Sequence, residues 1–247
     1  MLFLNSLHLH KMNKSITAVL PYWDPESLPN YPFIFILAAR RAGKSTLVRD
    51  IVLNHLADDY DFIIGLMGNS HTANNYKRNG CIPEAYCHSS YDGSVLEKWF
   101  QKADKLMRKG HELPKTLFIC DDILTLTKTK GQYTTRADPW LSKLATSGRH
   151  YRAACIICVQ SAQVALTFAR NSDAVLVSPS SLYAGQDFEA LAKLYMSSDS
   201  KKENQTLLRL FRKYDFLVLR YHLATRGSDL LAYYRVNSQS LDYARTK

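Results

Sequence analysis

The chain has 247 residues, of which 46% are hydrophobic, and it carries a formal net charge of +10 at pH 7. This composition supports a sizeable buried core and excludes a low-complexity or fibrous protein. The longest purely apolar run, residues 33–39, is far shorter than the ~20 residues that a membrane span requires. The five cysteines lack disulfide-framework spacing and the first ten residues do not form a secretory signal, so we expect a protein that is not secreted.

The first third of the chain predicts an irregular arm followed by the start of an α/β domain. Prolines punctuate residues 1–32, which we interpret as an N-terminal arm, and the domain is expected to run over 33–247. Its first predicted elements are a strand at Phe33–Leu37, a helix over Lys44–Leu56 and a strand at Phe62–Met67. Residues 68–93 are polar and without clear periodicity, which is typical of an insertion or binding loop.

The remainder alternates helices and strands. Helices are predicted over 95–108, 139–147, 186–196 and 202–213, and a loop over 127–135. Strands are predicted over 116–120, 153–159, 174–177, 216–221 and 230–236. This alternation predicts an α/β fold with a mostly parallel central sheet, helices on both faces and ligands at the carboxyl ends of the strands.

A phosphate-binding loop follows the first predicted strand. It reads Ala-Ala-Arg-Arg-Ala-Gly-Lys-Ser-Thr and closes on the Gly-Lys-Ser of a P-loop just before a helix. Backbone N–H groups and the positive end of the helix dipole would hold the phosphates, with Lys44 on the β- and γ-phosphates of ATP and Ser45 on Mg²⁺. The predicted nucleotide-binding residues are Ala38, Ala39, Arg40, Arg41, Ala42, Gly43, Lys44, Ser45 and Thr46.

Ala38 departs from the P-loop pattern, because it takes the place of the first glycine. Alanine serves there only if its backbone needs neither a positive φ nor a very close approach to the ligand. An ordinary strand–turn–helix corner is the alternative reading of this segment.

An apolar strand that ends in Asp121 and Asp122 gives the second signal. A buried strand of this kind delivers a carboxylate to the Mg²⁺ shell opposite the P-loop serine, as in a Walker B motif. We assign Asp121 to Mg²⁺ and Asp122 to polarising the attacking water. Asp122 is one methylene shorter than the glutamate often found there, which leaves its geometry toward the water open.

Four further polar residues are candidates for the same chemistry. Gln160 ends the next strand and either senses the γ-phosphate or merely caps the strand. Arg149, Arg152 and Arg170 are candidates for an arginine finger that reaches into a neighbouring subunit's site. Each arginine could instead contact DNA or lie on a solvated surface.

Basic residues are concentrated at the end of the chain. Residues 201–247 contain ten Lys or Arg and four Asp or Glu, a net charge of +6. This asymmetry suits a polyanion such as DNA, and the alternative is an ordinary basic surface.

Taken in order, these motifs resemble the DNA-packaging ATPases of the FtsK–HerA superfamily, found in large eukaryotic DNA viruses including poxviruses, in virophages and in polinton-like elements. The matching segments are residues 38–46, 117–122, 147–151, 160–161 and 168–173. The most distinctive is Gly-Arg-His after a helix, leading into an apolar strand that ends in glutamine. The match covers roughly residues 30–180.

The resemblance implies a RecA-like P-loop NTPase that assembles into a homo-oligomeric ring, expected to be a hexamer. Such a ring would use ATP and Mg²⁺ to drive double-stranded DNA through the packaging vertex into a viral capsid, in the virion or at the assembly site in the cytoplasm or nucleus. On the matching positions it implies phosphate or Mg²⁺ binding by Lys44, Ser45 and Asp121, water activation by Asp122 and sensing by Gln160. Arg149 is the preferred trans-acting finger, with Arg170 second.

Two other function classes remain open from the sequence. The first is a nucleoside or nucleotide kinase with the same P-loop, although such kinases do not need two acids on the third strand or a trans-acting arginine. The second is a non-catalytic module that binds DNA or capsid under nucleotide control, which Ala38 favours.

Overall fold

The computed structural model describes residues 20–123, 127–129, 132–134, 138–160, 166–182, 209–220 and 231–237. The strands are β1 (Phe33–Leu37), β2 (Phe62–Met67), β3 (Cys87–His88), β4 (Thr116–Asp121), β5 (Thr127–Thr129), β6 (Gln132–Thr134), β7 (Ala153–Val159), β8 (Ala174–Val177), β9 (Asp215–Leu219) and β10 (Leu231–Arg235). The helices are α1 (Lys44–Ile51), α2 (Ser70–Arg78), α3 (Gly93–Arg108), α4 (Pro139–Ser147), α5 (Leu166–Asn171) and α6 (Pro179–Leu182).

One eight-stranded sheet, in the order β10-β9-β8-β1-β7-β4-β2-β3, forms the framework. From β8 across to β3, each described strand pairs with its neighbour in parallel. Among the described strands of this sheet, only β9 runs the other way, because it pairs antiparallel with both β8 and β10. The predicted α/β class with a mostly parallel sheet is therefore confirmed.

Two hydrophobic cores cover the two faces of this sheet. Every residue of β1, β4, β7, β8 and β9 is buried, which explains why these strands read as continuous apolar runs rather than alternating ones. Along β1, the side chains of Phe33, Phe35 and Leu37 enter the core that contains the apolar residues of α3 and α4. Those of Ile34 and Ile36 enter the opposite core, which α1 covers. Helices thus lie on both faces, as predicted.

Most predicted elements keep their expected positions, but three do not. Residues 68–93, interpreted as a loop, contain α2 and β3, because only Ala73 and Tyr76 of α2 are buried and two residues form no recognisable apolar stripe. The loop predicted over 127–135 contains the β5–β6 hairpin. The helix predicted over 202–213 is wrong where it can be seen, since residues 209–213 are turn or irregular backbone. The helix predicted over 186–196 lies outside the described residues.

The described part of the N-terminal arm packs against β10, the outermost strand on one side of the sheet. Tyr22 forms a parallel bridge with Tyr233 of β10, and Trp23 is almost completely buried. Arm residues thus contribute to both cores, Trp23 on one face of the sheet and Leu20 on the other. Within the described ranges, no helix is both long and apolar enough to cross a membrane.

Candidate nucleotide-binding site

The P-loop is a tight turn between the buried end of β1 and the first turn of α1. The Ala38 N–H donates to the Val159 carbonyl (3.0 Å), and the Ala42 N–H donates back to the Ala39 carbonyl (3.1 Å). Gly43 precedes α1 in the left-handed region, with φ 89°, and its lack of a side chain leaves the helix start without a side-chain cap. The first N–H groups of α1 are therefore available to an anionic ligand.

The substitution of alanine for the first glycine of the motif is compatible with this loop. Ala38 is completely buried and does not have a positive φ, whereas Arg41 (φ 65°) and Gly43 carry the left-handed backbone. The position therefore needs none of the conformational freedom that only glycine supplies. Ala38 gives no structural reason to regard the loop as degenerate.

Lys44 and Asp121 form a buried ion pair beneath the loop. The Lys44 Nζ lies 2.5 Å from Asp121 Oδ1, and the Asp121 side chain is 1% exposed. Burial is the largest single effect on the pKa of Lys44 and lowers it, but the charge and hydrogen bond of Asp121, together with the nearby Cys158 and Asp122, outweigh burial and raise that pKa above its ordinary value, so Lys44 is protonated at neutral pH. Burial also raises the pKa of Asp121, and this shift is opposed by Lys44 and by the Tyr76 hydroxyl, which donates to Asp121 Oδ2 (3.0 Å).

Asp122 follows Asp121 but faces a more open environment. Its backbone is left-handed (φ 61°), a conformation that aspartate tolerates better than most residues, and its side chain is 32% exposed. The Gln160 amide donates to Asp122 Oδ1 (2.7 Å), and the Asn69 amide donates to Asp122 Oδ2 (3.3 Å). The Lys44 Nζ is 3.9 Å from Asp122 Oδ1. Two amides and one ammonium group thus orient this carboxylate.

Gly68 allows β2 to approach the end of β4 closely. Its N–H donates to the Asp121 carbonyl (2.9 Å), and a β-carbon added at Gly68 would lie 1.9 Å from the Asp122 carbonyl oxygen. Any larger residue would therefore displace the backbone that presents Asp122.

Neighbouring strand ends bring these residues together. Lys44 follows β1, Gln160 follows β7, and Asp121 and Asp122 close β4, three strands that are adjacent in the sheet. Since the three strands are parallel, their carboxyl ends meet at one edge, where parallel sheets of this type bind ligands.

The residues also fit a divalent cation. Carboxylate and hydroxyl oxygens are the ligands that Mg²⁺ prefers, and Asp121 supplies a carboxylate oxygen that already faces a positive charge. Ser45 follows Lys44 in the first turn of α1 and offers the hydroxyl.

The three candidate arginines lie at the amino ends of the parallel strands, the edge of the sheet opposite the candidate site. Arg149 is in the 3₁₀ turn Gly148–Tyr151 that precedes β7, and Arg170 is in the last turn of α5, just before β8; both side chains are exposed. β7 alone separates its two ends by about 20 Å, so neither arginine joins Lys44 in the same subunit. Arg152 donates to the Tyr31 hydroxyl (2.8 Å) and pairs with Glu112, which commits it to contacts within the chain.

Two contributors to the site were missed by sequence reasoning. Asn69 caps α2, accepting from the Thr72 N–H (2.9 Å), while its amide donates to Asp122. Tyr76 lies on the buried face of the same helix. An asparagine after the apolar strand Phe62–Met67 was an available signal for a helix start, but the polar residues that follow it masked the helix.

Comparisons with known proteins agree with this fold. No family model matches the chain, and no curated protein matches it. The solved structure of the genome packaging NTPase B204 from Sulfolobus turreted icosahedral virus 2 in complex with AMPPCP is similar, with TM-score 0.51 and 15% identity over 85% of this chain and 100% of that one.

Two further solved structures show the same likeness. The complex of that NTPase with ATP-gammaS has TM-score 0.50 and 14% identity over 85% of this chain and 100% of that one. B204, the DNA-packaging ATPase from Sulfolobus turreted icosahedral virus, has TM-score 0.51 and 13% identity over the same shares. Identities this low establish the architecture rather than the activity. The chain therefore has the α/β P-loop NTPase fold, consistent with a RecA-like arrangement, that these viral packaging NTPases share.

Proposed function

We propose that the protein is an ATPase whose hydrolysis site is formed by Lys44, Asp121, Asp122 and Gln160 at the carboxyl edge of the sheet. The observation that carries this proposal is the set of contacts across three adjacent strand ends. The Lys44 ammonium reaches both acids, and Gln160 holds the second acid. An ordinary strand–turn–helix corner that binds no nucleotide would have no need for these contacts between Lys44, the two acids and Gln160.

Each residue has a role that follows from its surroundings. Lys44 stays charged and exchanges its contact with Asp121 for the β- and γ-phosphates of ATP. Asp121 and Ser45 hold Mg²⁺, which neutralises charge on the phosphates when bound. Asp122, a third exposed and held on both oxygens by amides, accepts a hydrogen bond from the attacking water. Gln160 positions Asp122 and senses whether the γ-phosphate is present.

The finer proposal is a motor that drives double-stranded DNA into a viral capsid during virion assembly. The fold shared with viral packaging NTPases and the net charge of +10 support it. Arg149, with Arg170 as the second candidate, would complete the site of a neighbouring subunit in a homo-oligomeric ring, expected to be a hexamer. The proposed partners are DNA and the capsid or its packaging vertex, and the proposed location is the virion or its assembly site. Most of the basic segment 201–247 lies outside the described residues, so its contact with DNA rests on charge alone.

Steady-state ATP turnover with Mg²⁺, measured with and without double-stranded DNA, tests the motor. We expect DNA to raise turnover, Lys44→Ala to remove it, and the exposed control Lys98→Ala to leave it unchanged. ATP turnover that is unchanged by DNA but rises with an added nucleoside would instead identify a kinase. Binding without hydrolysis would identify a non-catalytic module.

DNA binding and assembly need separate measurements. Affinity for DNA should fall steeply as salt rises, since each phosphate contact releases counterions; a flat salt response would mean that the basic segment 201–247 does not contact the phosphates. Native mass measurement with nucleotide and DNA bound gives the subunit number, and a monomer under those conditions would contradict the ring.

A further inference from the structure

Tyr214, far from the P-loop in sequence, packs directly against it. A β-carbon added at Gly43 would lie 2.6 Å from Tyr214 Cδ1 and 2.8 Å from Cε1. The aromatic ring therefore rests on the α-carbon of the residue that precedes α1, and it fills the place that a side chain at Gly43 would take. This contact arises because β9 runs antiparallel to β8, so the start of β9 lies beside the carboxyl end of β8, at the same edge of the sheet as the carboxyl end of β1.

The backbone around Tyr214 is held in a strained conformation. Its φ is 70°, a left-handed value that is unfavourable for a large side chain. The Val236 N–H donates to the Tyr214 carbonyl (3.2 Å), and the Arg212 N–H donates to Asp215 Oδ2 (2.9 Å). Asp215 is buried and paired with Arg235 (2.6 Å). Strain that the surroundings enforce in this way is found preferentially at ligand sites.

The position of Tyr214 relative to the acids indicates which part of a nucleotide it faces. Asp121 ends β4, while Asp122 and Gln160 follow β4 and β7, and all three lie on one side of β1. Tyr214 precedes β9, beyond β8 on the other side of β1. A nucleoside triphosphate whose γ-phosphate points toward the acids must direct its sugar and base toward β8 and β9. Tyr214 is an aromatic residue on that side of the P-loop.

Basic side chains accompany this ring. The exposed residues Arg212 and Lys213 precede Tyr214, and the Lys213 Nζ lies 5.1 Å from the centroid of the Tyr214 ring. An aromatic face flanked by cations suits a planar, electron-rich base next to phosphates.

We propose that Tyr214 forms the base-binding wall of the nucleotide site, stacking on the base of a nucleoside triphosphate while its other contacts hold Gly43. The proposal rests on the proposed function, because it requires a nucleoside triphosphate on the P-loop. Stacking is tolerant of base identity, since every base has a π-face. Tyr214 therefore adds affinity for nucleoside triphosphates in general rather than selectivity among them.

Binding of ATP and of inorganic tripolyphosphate, each with Mg²⁺, separates stacking from support of the loop. Tripolyphosphate has the phosphates but no base. We expect Tyr214→Ala to weaken ATP binding about tenfold more than it weakens tripolyphosphate binding, a difference of about 1.4 kcal/mol, because only ATP has a base to stack on the ring. Equal losses for both ligands would mean that Tyr214 only supports the loop, and no loss for either would place the base elsewhere; both results overturn the proposal.

Matched variants keep this test decisive. Tyr214→Phe should bind ATP like the parent protein, and Tyr214→Leu, which retains apolar packing on Gly43, should still lose ATP affinity selectively, even if Tyr214→Ala does not fold. Tyr86→Ala is the control. Tyr86 is exposed and precedes β3, the outermost strand on the side of the sheet away from β9, so its replacement should change neither affinity. If the parent protein binds neither ligand, the proposed function itself fails. If it binds ATP through Lys44 but Tyr214→Leu has no selective effect, only the base-binding wall fails.

Discussion

Both edges of the parallel sheet contain strained backbone, but they use it differently. At the amino edge, Tyr31 (φ 57°) and Arg152 (φ 56°) bond to each other, and Arg152 also pairs with Glu112. At the carboxyl edge, the strained Asp122 (φ 61°) is held by two amides while a third of its side chain stays exposed. Strain at the first edge is satisfied within the chain, whereas strain at the second presents a charged group to a ligand.

The arginines extend this contrast. Arg149 and Arg170 lie exposed at the amino edge, where no residue of the candidate site in the same subunit can use their charge. Charges of this kind gain a catalytic meaning only if a second subunit brings its carboxyl edge to them. This contrast between the two edges would no longer hold if residues at the amino edge were shown to act in catalysis.

The largest expected effect comes from Arg149→Ala, if Arg149 is the trans-acting finger. We expect turnover to fall about 10³-fold, because an arginine finger stabilises charge that develops only in the transition state, while ATP binding is retained. Turnover and nucleotide binding are measured on the same preparation, and Arg108→Ala, an exposed arginine of α3, is the control.

Mixing variants tests whether the arginine acts across an interface. Arg149→Ala and Lys44→Ala proteins should be inactive alone, and together they should recover part of the turnover, since some interfaces then combine an intact loop with an intact arginine. Absence of recovery would transfer the role to Arg170 or return Arg149 to the surface.

The carboxyl edge is probed by Asp122→Asn, which keeps the shape of the side chain and removes its charge. We expect turnover to fall about 10²-fold or more while ATP binding persists, because the residue acts on the water and not on the phosphates. Single-turnover hydrolysis and ATP titration distinguish the two steps, and Asp58→Asn, on the exposed surface, is the matched control. A variant that hydrolyses ATP at the parent rate would remove Asp122 from the chemistry.

Local sequence patterns predicted the elements that bury continuous apolar runs. β1, β2, β7 and β8 begin and end at the residues predicted for them, and the P-loop and the two acids follow from strand ends. The helix α2 was missed because its contribution is two buried residues and a capping asparagine rather than an apolar stripe. Its cap, Asn69, was therefore not recognised as a neighbour of Asp122.

Contacts that depend on strand direction could not be predicted. Tyr214 reaches Gly43 only because β9 reverses direction within an otherwise parallel neighbourhood. The sequence likewise placed Arg149 and Gln160 close together along the chain, although β7 carries them to opposite edges. Sequence spacing thus suggested most residues of the candidate site, but not which edge each residue occupies.

Gly68→Ala tests whether close packing of β2 against β4 positions Asp122. The added β-carbon would meet the Asp122 carbonyl oxygen at 1.9 Å, so the backbone must move, and we expect a loss of about 3 kcal/mol in the free energy of unfolding. Gly80→Ala is the control, because its added β-carbon meets open space and only its positive φ is unfavourable. We expect it to lose about 1 kcal/mol in the free energy of unfolding, measured with urea. Equal losses would show that β2 yields easily and does not fix Asp122.

The smallest expected effect belongs to Arg152→Ala at the amino edge. Its guanidinium serves Tyr31 and Glu112 within the chain, so its removal should lower the melting temperature slightly and leave ATP turnover within about twofold of the parent value. Arg152→Lys, which keeps the charge but not the bond from Nε, separates the two contacts in the same thermal measurement. A large loss of turnover in Arg152→Ala, with the fold intact, would mean that the finger is Arg152 and that the internal bonds merely store it until a neighbouring subunit arrives.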